Sequence, residues 1–145
     1  MITVRQLLGT KSGDIWTIAP EASVYEALQL MAEKNVGALL VVEAGKLVGV
    51  FSERDYARKV ILKGKSSKET AVGELMSSTV YYVHPEQTIE ACMALMTERR
   101  IRHLPVLEQD ALVGIVSIGD LGKAIISQQE VVIRDLEHYI TGAPR

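Results

Sequence analysis

The 145-residue sequence lacks the features of several common classes of protein. It has a single cysteine, which excludes an internal disulfide framework and is typical of a reducing compartment. No stretch has the apolar length of a signal peptide or membrane span, so we expect a soluble, cytoplasmic protein without membrane contact. With 16 Lys plus Arg against 18 Asp plus Glu, the chain has no general basic field, and binding of nucleic acid is not expected.

Signatures of metal and catalytic chemistry are also missing. The histidines at 84, 103 and 138 share no element at ligand spacing and have no cysteine partners nearby, so no metal site is predicted. Cys92 lies on an apolar helical stripe and is interpreted as a buried structural thiol. No glycine-rich phosphate loop follows a strand. Because no nucleophile and base are assembled, no catalytic residue or catalytic cofactor is assigned.

What the sequence does contain is a long internal repeat. The segments "GVFSERD" at 49–55 and "GIVSIGD" at 114–120 carry glycine, serine and aspartate at an offset of 65 residues without a gap. The same offset aligns apolar and proline positions: Pro20 with Pro85, Leu30 with Leu95, Met31 with Met96, Leu39 with Leu104 and Val41 with Val106. Half-size units cannot each bury a full core, so we expect them to pack as a pseudo-symmetric pair.

The repeat also predicts how the chain is divided. The first motif is placed at 1–62, a polar linker at 63–70, the second motif at 71–127 and a helical tail at 128–145. "VRQLL" at the start of the first copy matches "VGELM" of the second at an offset of 68, so "GTKSGD" after it contains three extra residues. We assign this insertion to a surface loop.

Each copy predicts the same order of elements. A short helix opens it, with Thr3 and Gln6 at capping-box spacing in the first copy and Thr70 preceding the helix of the second. A strand at 15–18 or 80–83 follows and ends before a proline. A helix capped by Ser23 or Thr88, two tightly joined strands and a last helix then complete each copy.

The last helix begins at the repeated serine and aspartate, which have two interpretations. Ser52 with Asp55, and Ser117 with Asp120, fit an N-cap and an acidic residue of the first turn, and from spacing alone capping is preferred. The alternative is a nucleotide pocket, in which the hydroxyl and the helix N-terminus assist in holding phosphate. The carboxylate would then accept hydrogen bonds from two sugar hydroxyls.

Two other segments, a basic run and the C-terminal tail, each have two interpretations. The basic run from Arg54 to Lys68 is read as a solvated helix face and linker, with a phosphate contact as the alternative. The tail needs a surface to cover, because apolar residues follow one helical stripe in it: Val132, Ile133, Leu136, Tyr139 and Ile140. That surface is either its own module or a second chain.

The whole chain resembles a pair of cystathionine-beta-synthase (CBS) motifs, the Bateman module, in its stand-alone bacterial form. The resemblance rests on the repeat order, the Ser-x-x-Asp ending of both copies, and "RHLPVL" at 102–107. It implies an α+β fold of two β-α-β-β-α half-domains packed as one module and paired in a homodimer. It also implies clefts between the halves that bind AMP, ADP, ATP or NAD(H), with S-adenosylmethionine ranked behind them.

The resemblance further implies which residues face a ligand. The aspartates would take ribose hydroxyls and the serines ribose or phosphate, while Arg54 and Arg58 in one cleft, and Arg102 and His103 in the other, supply positive charge. The two clefts are therefore expected to differ in ligand or pose. The implied residues are Thr17, Ile18, Gly37, Ala38, Leu39, Ser52, Arg54, Asp55 and Arg58, and Val80, Tyr81, Arg102, His103, Leu104, Pro105, Ser117 and Asp120.

Three functional hypotheses stay open. The leading one is a non-enzymatic sensor whose conformation responds to a nucleotide and is read by an unknown regulated protein. A second is an interaction scaffold with vestigial clefts, in which Ser-x-x-Asp serves only as a cap. A third, a small hydrolase or transferase, lacks an assembled catalytic group.

Overall fold

A computed structural model describes residues 2–11 and 13–141 of the chain. These residues form a mixed α+β structure, as predicted. In chain order the elements are α1 (Val4–Leu8), β1 (Thr17–Ile18), α2 (Val24–Lys34), β2 (Ala38–Glu43), β3 (Lys46–Ser52), α3 (Glu53–Asp55) continued by a π-helical segment (Tyr56–Ile61), α4 (Val72–Leu75), α5 (Ile89–Arg99), β4 (His103–Glu108), β5 (Ala111–Ser117) and α6 (Ile118–Thr141).

The chain forms two compact units whose boundaries differ from those of the repeat. One unit is Asp14–Tyr82, and the other joins the segment up to Gly13 with the segment from Val83 onward. Helix α1 therefore packs with the strands of the second copy, and α4 packs with those of the first. The predicted bounds 1–62 and 71–127 describe the sequence repeat and stay a prediction. In the compact units, the first helix of each sequence copy lies with the strands of the other copy.

The Asp14–Tyr82 unit is built on a three-stranded sheet in the order β1-β2-β3. Strand β2 is antiparallel to β3 and parallel to β1, so both of its edges are hydrogen-bonded to neighbouring strands. Leu39, Leu40 and Val41 of β2 are fully buried, and Phe51 of β3 joins them in the core. The predicted strand at 15–18 is confirmed in its second half only, at Thr17–Ile18.

The other unit holds the β4-β5 hairpin, and the strand predicted at 80–83 is wrong. Only Val83 bridges to β4, where it hydrogen-bonds Pro105 and Leu107. In the first copy Leu40 N donates to Trp16 O and so extends the β1 pairing. The repeat places Pro105 at the position of Leu40, and proline has no N–H to make the equivalent bond.

Most predicted helix caps are confirmed. Thr3 and Gln6 form a reciprocal capping box, and Ser23 and Thr88 accept the N–H of Glu26 and of the corresponding Ala91. The suggested role of Thr70 is wrong, because the residue before α4 is Ala71 and no side chain caps that helix.

The predicted tail is part of α6, which runs without a break from the second Ser-x-x-Asp motif. Its apolar stripe is exposed, with Leu136 55% and Tyr139 87% accessible. The last four residues of the predicted tail, 142–145, lie outside the described residues. Among residues 2–11 and 13–141, no helix combines the length and apolar character that a membrane span requires.

Candidate ligand sites at the repeated serine and aspartate

Both Ser-x-x-Asp motifs lie at the junction between the second strand of a hairpin and the helix that follows. Ser52 ends β3 opposite Ala38, and Ser117 ends β5 opposite His103. The backbone closes each junction in the same way. Glu53 N donates to Gly37 O at 3.0 Å, and Ile118 N donates to Arg102 O at 2.9 Å.

Both serine and aspartate pairs form reciprocal caps, which confirms the capping interpretation. Ser52 Oγ accepts from Asp55 N at 3.2 Å, and Asp55 Oδ2 accepts from Ser52 N at 3.0 Å. The second copy repeats this, with Ser117 Oγ accepting from Asp120 N at 3.1 Å and Asp120 Oδ2 accepting from Ser117 N at 2.9 Å. One oxygen of each carboxylate is therefore directed at its own main chain.

Asp55 is in contact through its second oxygen as well. Lys59 Nζ lies 3.2 Å from Asp55 Oδ1 and also donates to Leu75 O at 3.0 Å. Ser77 Oγ lies 3.5 Å from the same Oδ1, at the limit of a hydrogen bond. Because both of its oxygens have protein partners, Asp55 has little capacity left for another donor.

Asp120 is arranged differently. Lys11 Nζ donates to Asp120 Oδ2 at 2.8 Å and to Ile115 O at 2.8 Å. Lys11 thus contacts the same Asp120 oxygen that accepts the Ser117 N–H. Lys11 comes from the segment 9–14, which contains three extra residues in the first copy and is predicted to be a surface loop.

Sequence reasoning did not assign either lysine to a site. The Asp55 to Lys59 spacing of one helical turn is a signal that predicts this contact, but Lys59 was read as part of a solvated basic run. No comparable signal exists for Lys11, since 109 positions separate it from Asp120. Only the packing of α1 and the segment after it onto the second hairpin brings the two together.

The environment of Asp120 favours its ionised form. Burial of the carboxyl acts to raise its pKa, but the Lys11 ammonium and the hydrogen bonds from Ser117 outweigh burial and hold the pKa below its usual value. Asp120 is therefore a carboxylate at neutral pH and an acceptor only.

The lowered pKa of Asp120 predicts a contribution to stability that depends on pH. A carboxyl with a lower pKa in the folded protein stabilises it fully above its unfolded pKa of about 3.9, and this contribution is lost as the pH falls through the folded pKa. Asp120→Asn keeps the oxygen acceptor but does not titrate. Urea unfolding measured from pH 6 to pH 3 should show a steeper loss of stability for wild type than for the variant. Equal slopes would contradict this assignment.

The other implied residues differ in their exposure and in the compact unit to which they belong. Arg54, Arg58 and Arg102 are exposed, and His103 is half-buried. Leu39, Leu104 and Pro105 are buried, so they would offer a ligand their backbone only. Thr17 and Ile18 lie on β1 beside β2. Val80 and Tyr81 belong to the Asp14–Tyr82 unit, whereas Ser117 and Asp120 belong to the other.

No metal-binding group emerges from the part of the chain that the structure describes. In residues 2–11 and 13–141, no three histidine, cysteine, aspartate or glutamate side chains come together as ligands. Cys92 is fully buried, and burial raises the pKa of its thiol. It is therefore placed as a structural thiol of the core.

Two half-size units, each with a capped strand-to-helix junction that holds a carboxylate and an ammonium, define a tandem-repeat module. The family model described as "CBS domain" matches residues 4–62 and 72–127. The chain belongs to the CBS-domain family and carries two CBS motifs. CBS pairs are commonly regulatory, ligand-binding modules.

Individual relatives agree with this assignment. The chain is 41% identical over 140 residues to "CBS domain-containing protein CBSX3, mitochondrial" of Arabidopsis thaliana, covering 91% of this chain and 68% of that protein. It is 52% identical to a solved protein with CBS domains from Burkholderia ambifaria MC40-6, with a TM-score of 0.85 over 88% of this chain and 96% of that one.

A more distant relative shares the fold. The CBS domain pair of protein MJ0100, solved in complex with 5'-methylthioadenosine and S-adenosyl-L-methionine, is 24% identical with a TM-score of 0.78. It covers 88% of this chain and 98% of the solved chain. None of these three proteins is named as an enzyme.

Proposed function

We propose that this CBS pair is a regulatory module that binds an adenosine nucleotide, of the class of AMP, ADP, ATP or NAD(H). The observation that carries the proposal is the composition of the junction at Ser117. A partly exposed carboxylate, an ammonium and a helix N-terminus lie there beside the backbone of β4. A carboxylate suits ribose hydroxyls, while an ammonium and the positive end of a helix dipole suit phosphate.

The capping role of Asp120 is compatible with ligand binding. An ionised carboxylate has two oxygens and about four acceptor positions. The Ser117 N–H and the Lys11 ammonium both contact Oδ2. Oδ1 is then the oxygen that accepts from a ribose hydroxyl, so a ligand can bind without displacing the cap.

The alternative, a scaffold with vestigial sites, is favoured at Asp55 by its contacts. There one oxygen accepts the cap and the other faces Lys59 and Ser77. A ribose would have to replace at least one of these partners. We therefore propose that the Asp120 site binds nucleotide and that the Asp55 site binds weakly or serves the fold alone.

The test is thermal and urea unfolding in the presence of AMP, ADP, ATP, NAD(H) and S-adenosylmethionine. A ligand at 100 times its dissociation constant should raise the free energy of unfolding by about 2.7 kcal/mol. Asp120→Asn retains an oxygen for the cap and should lose the stabilisation. The matched Asp55→Asn should keep it.

Two results would oppose this proposal. Unchanged unfolding with every ligand would favour the scaffold, and loss of the response in Asp55→Asn alone would assign binding to the other site. Glu90→Ala, at an exposed position of α5, controls for removal of a carboxylate elsewhere. Turnover of a nucleotide that one substitution abolishes would instead support an enzyme.

Regulation requires that the nucleotide bind two conformations of the module with different affinity, because a ligand that binds both equally shifts nothing. We propose that a regulated protein reads this change from the module in the cytoplasm. We also propose a homodimer in which the exposed apolar stripe of α6 is covered by a second copy of the chain. An apolar surface of this kind is costly to leave in water.

A further inference from the structure

Each of the repeated aspartates forms an ion pair with a lysine, although the two lysines do not occupy equivalent positions of the two copies. The offset of 65 residues places Ala124 at the position of Lys59, so the second copy cannot make the first copy's contact. Lys11 comes from the segment 9–14, which is three residues longer than its counterpart in the second copy. The same pairing of carboxylate and ammonium is thus built twice from unrelated positions.

The two ammonium groups also share a second partner of the same kind. Lys11 Nζ donates to Ile115 O, and Lys59 Nζ donates to Leu75 O. A lysine ammonium has three N–H donors, and the carboxylate and the carbonyl account for two of them. Within residues 2–11 and 13–141, one donor of each ammonium therefore remains for a ligand.

The position of Lys11 suits contact with a small anion. Its side chain is 28% accessible and that of Asp120 is 23% accessible, so the pair is partly shielded and partly accessible to solvent. Partial burial strengthens a contact to a charged ligand relative to one in bulk water. Lys11 also cancels the charge of Asp120, which would otherwise repel a phosphate bound next to it.

We propose that Lys11 is a specificity-determining residue of the Asp120 site, whose third N–H binds a phosphate oxygen of the ligand. The inserted segment then selects phosphorylated nucleosides over uncharged or cationic adenosine compounds. This inference rests on the proposed function and adds the ligand class to it. It predicts that affinity depends on the phosphate only while Lys11 carries its charge.

The experiment is isothermal titration of AMP and of adenosine into the full chain, compared between wild type and Lys11→Met. Wild type should bind AMP about tenfold or more tightly than adenosine, as expected for a charge-assisted hydrogen bond. Lys11→Met should reduce AMP affinity to about that of adenosine and change adenosine affinity by about threefold at most. Lys11→Arg should keep most of the preference for AMP.

Lys46→Met is the matched control, because it removes the same charge from an exposed residue at the start of β3. It should bind both ligands as wild type does. If Lys11→Met fails to unfold cooperatively in urea, Lys11→Gln, which retains a neutral donor, takes its place with the same expected loss.

Three outcomes would overturn the inference. Equal AMP affinity in Lys11→Met and wild type would show that Lys11 does not contact phosphate. Tighter binding of adenosine to Lys11→Met would show that Lys11 competes with ribose for Asp120. If wild type binds neither AMP nor adenosine, the inference about Lys11 fails, whereas the proposed function fails only if ADP, ATP and NAD(H) also leave unfolding unchanged.

Discussion

Gly49→Ala is expected to destabilise the protein by about 1–3 kcal/mol, the usual cost of inserting an atom into a packed interior. Gly49 lies in β3 where the segment after α4 crosses the strand. An added Cβ would lie 2.5 Å from Met76 Sδ, 2.9 Å from Met76 Cγ and 3.0 Å from Ser77 O. The methionine side chain can move, but the carbonyl is held.

The Ser77 carbonyl is held because it belongs to a reciprocal bridge. Val50 N donates to Ser77 O at 3.0 Å, and Ser77 N donates to Val50 O at 2.9 Å. Moving Ser77 away from a new methyl group would lengthen both bonds, each worth about 1 kcal/mol. The glycine is therefore required by close backbone approach rather than by an unusual dihedral angle.

Two other glycines provide matched controls in urea unfolding. At Gly114 the three atoms nearest to an added Cβ are Leu8 side-chain carbons, at 2.8, 3.0 and 3.5 Å, so rotation of Leu8 should make Gly114→Ala less costly than Gly49→Ala. Gly122 lies in α6, where an added Cβ would meet no described atom within 4 Å outside the neighbouring helix backbone, and Gly122→Ala should stabilise by about 0.5–1 kcal/mol. Equal losses at Gly49 and Gly114 would contradict the role given to Ser77.

The second large effect is expected in assembly: Leu136→Asp and Tyr139→Asp should each convert the proposed homodimer toward monomer. Both side chains lie on the apolar stripe of α6, at 55% and 87% accessibility. An aspartate in the centre of an apolar interface would lose its hydration without gaining a partner. Each substitution is expected to weaken dimerisation by about 2 kcal/mol or more, as at an interface hot spot.

Sedimentation equilibrium over a range of concentrations measures this effect. Arg134→Asp is the control, since it introduces the same side chain on the opposite side of the helix, about 200° from Leu136 at 100° per residue. It should remain a dimer. A wild-type protein that sediments as a monomer at every concentration, or a dimer that tolerates both stripe substitutions, would exclude this interface.

Much of the local structure could be predicted because neighbouring residues encode it. The caps at Thr3, Ser23 and Thr88 rest on a polar side chain three residues from the N–H it binds, and all three are present. The hairpins follow from two apolar runs separated by a tight turn. The missing strand at 80–83 shows where a similar pattern fails, since one proline removes the bond that would extend the pairing.

The candidate site was predicted in part for the same reason. Ser52 with Asp55, and Ser117 with Asp120, are close in sequence, and their reciprocal caps follow from that spacing. Their function as ligand-binding residues stays a prediction. The lysines were not assigned, and these lysines distinguish an aspartate with both oxygens engaged from one that can still accept a ligand.

The sequence by itself determined the repeat, which appears when the chain is aligned with itself. It also determined most of the helices and strands and the two capped junctions, because these depend on residues a few positions apart. The tertiary structure alone decided that the leading helices pack with the opposite copy and that Lys11 reaches Asp120. Such contacts depend on where the folded backbone carries segments that are far apart in the chain. The spacing of residues along the sequence does not predict which distant segments will be close together in the folded protein.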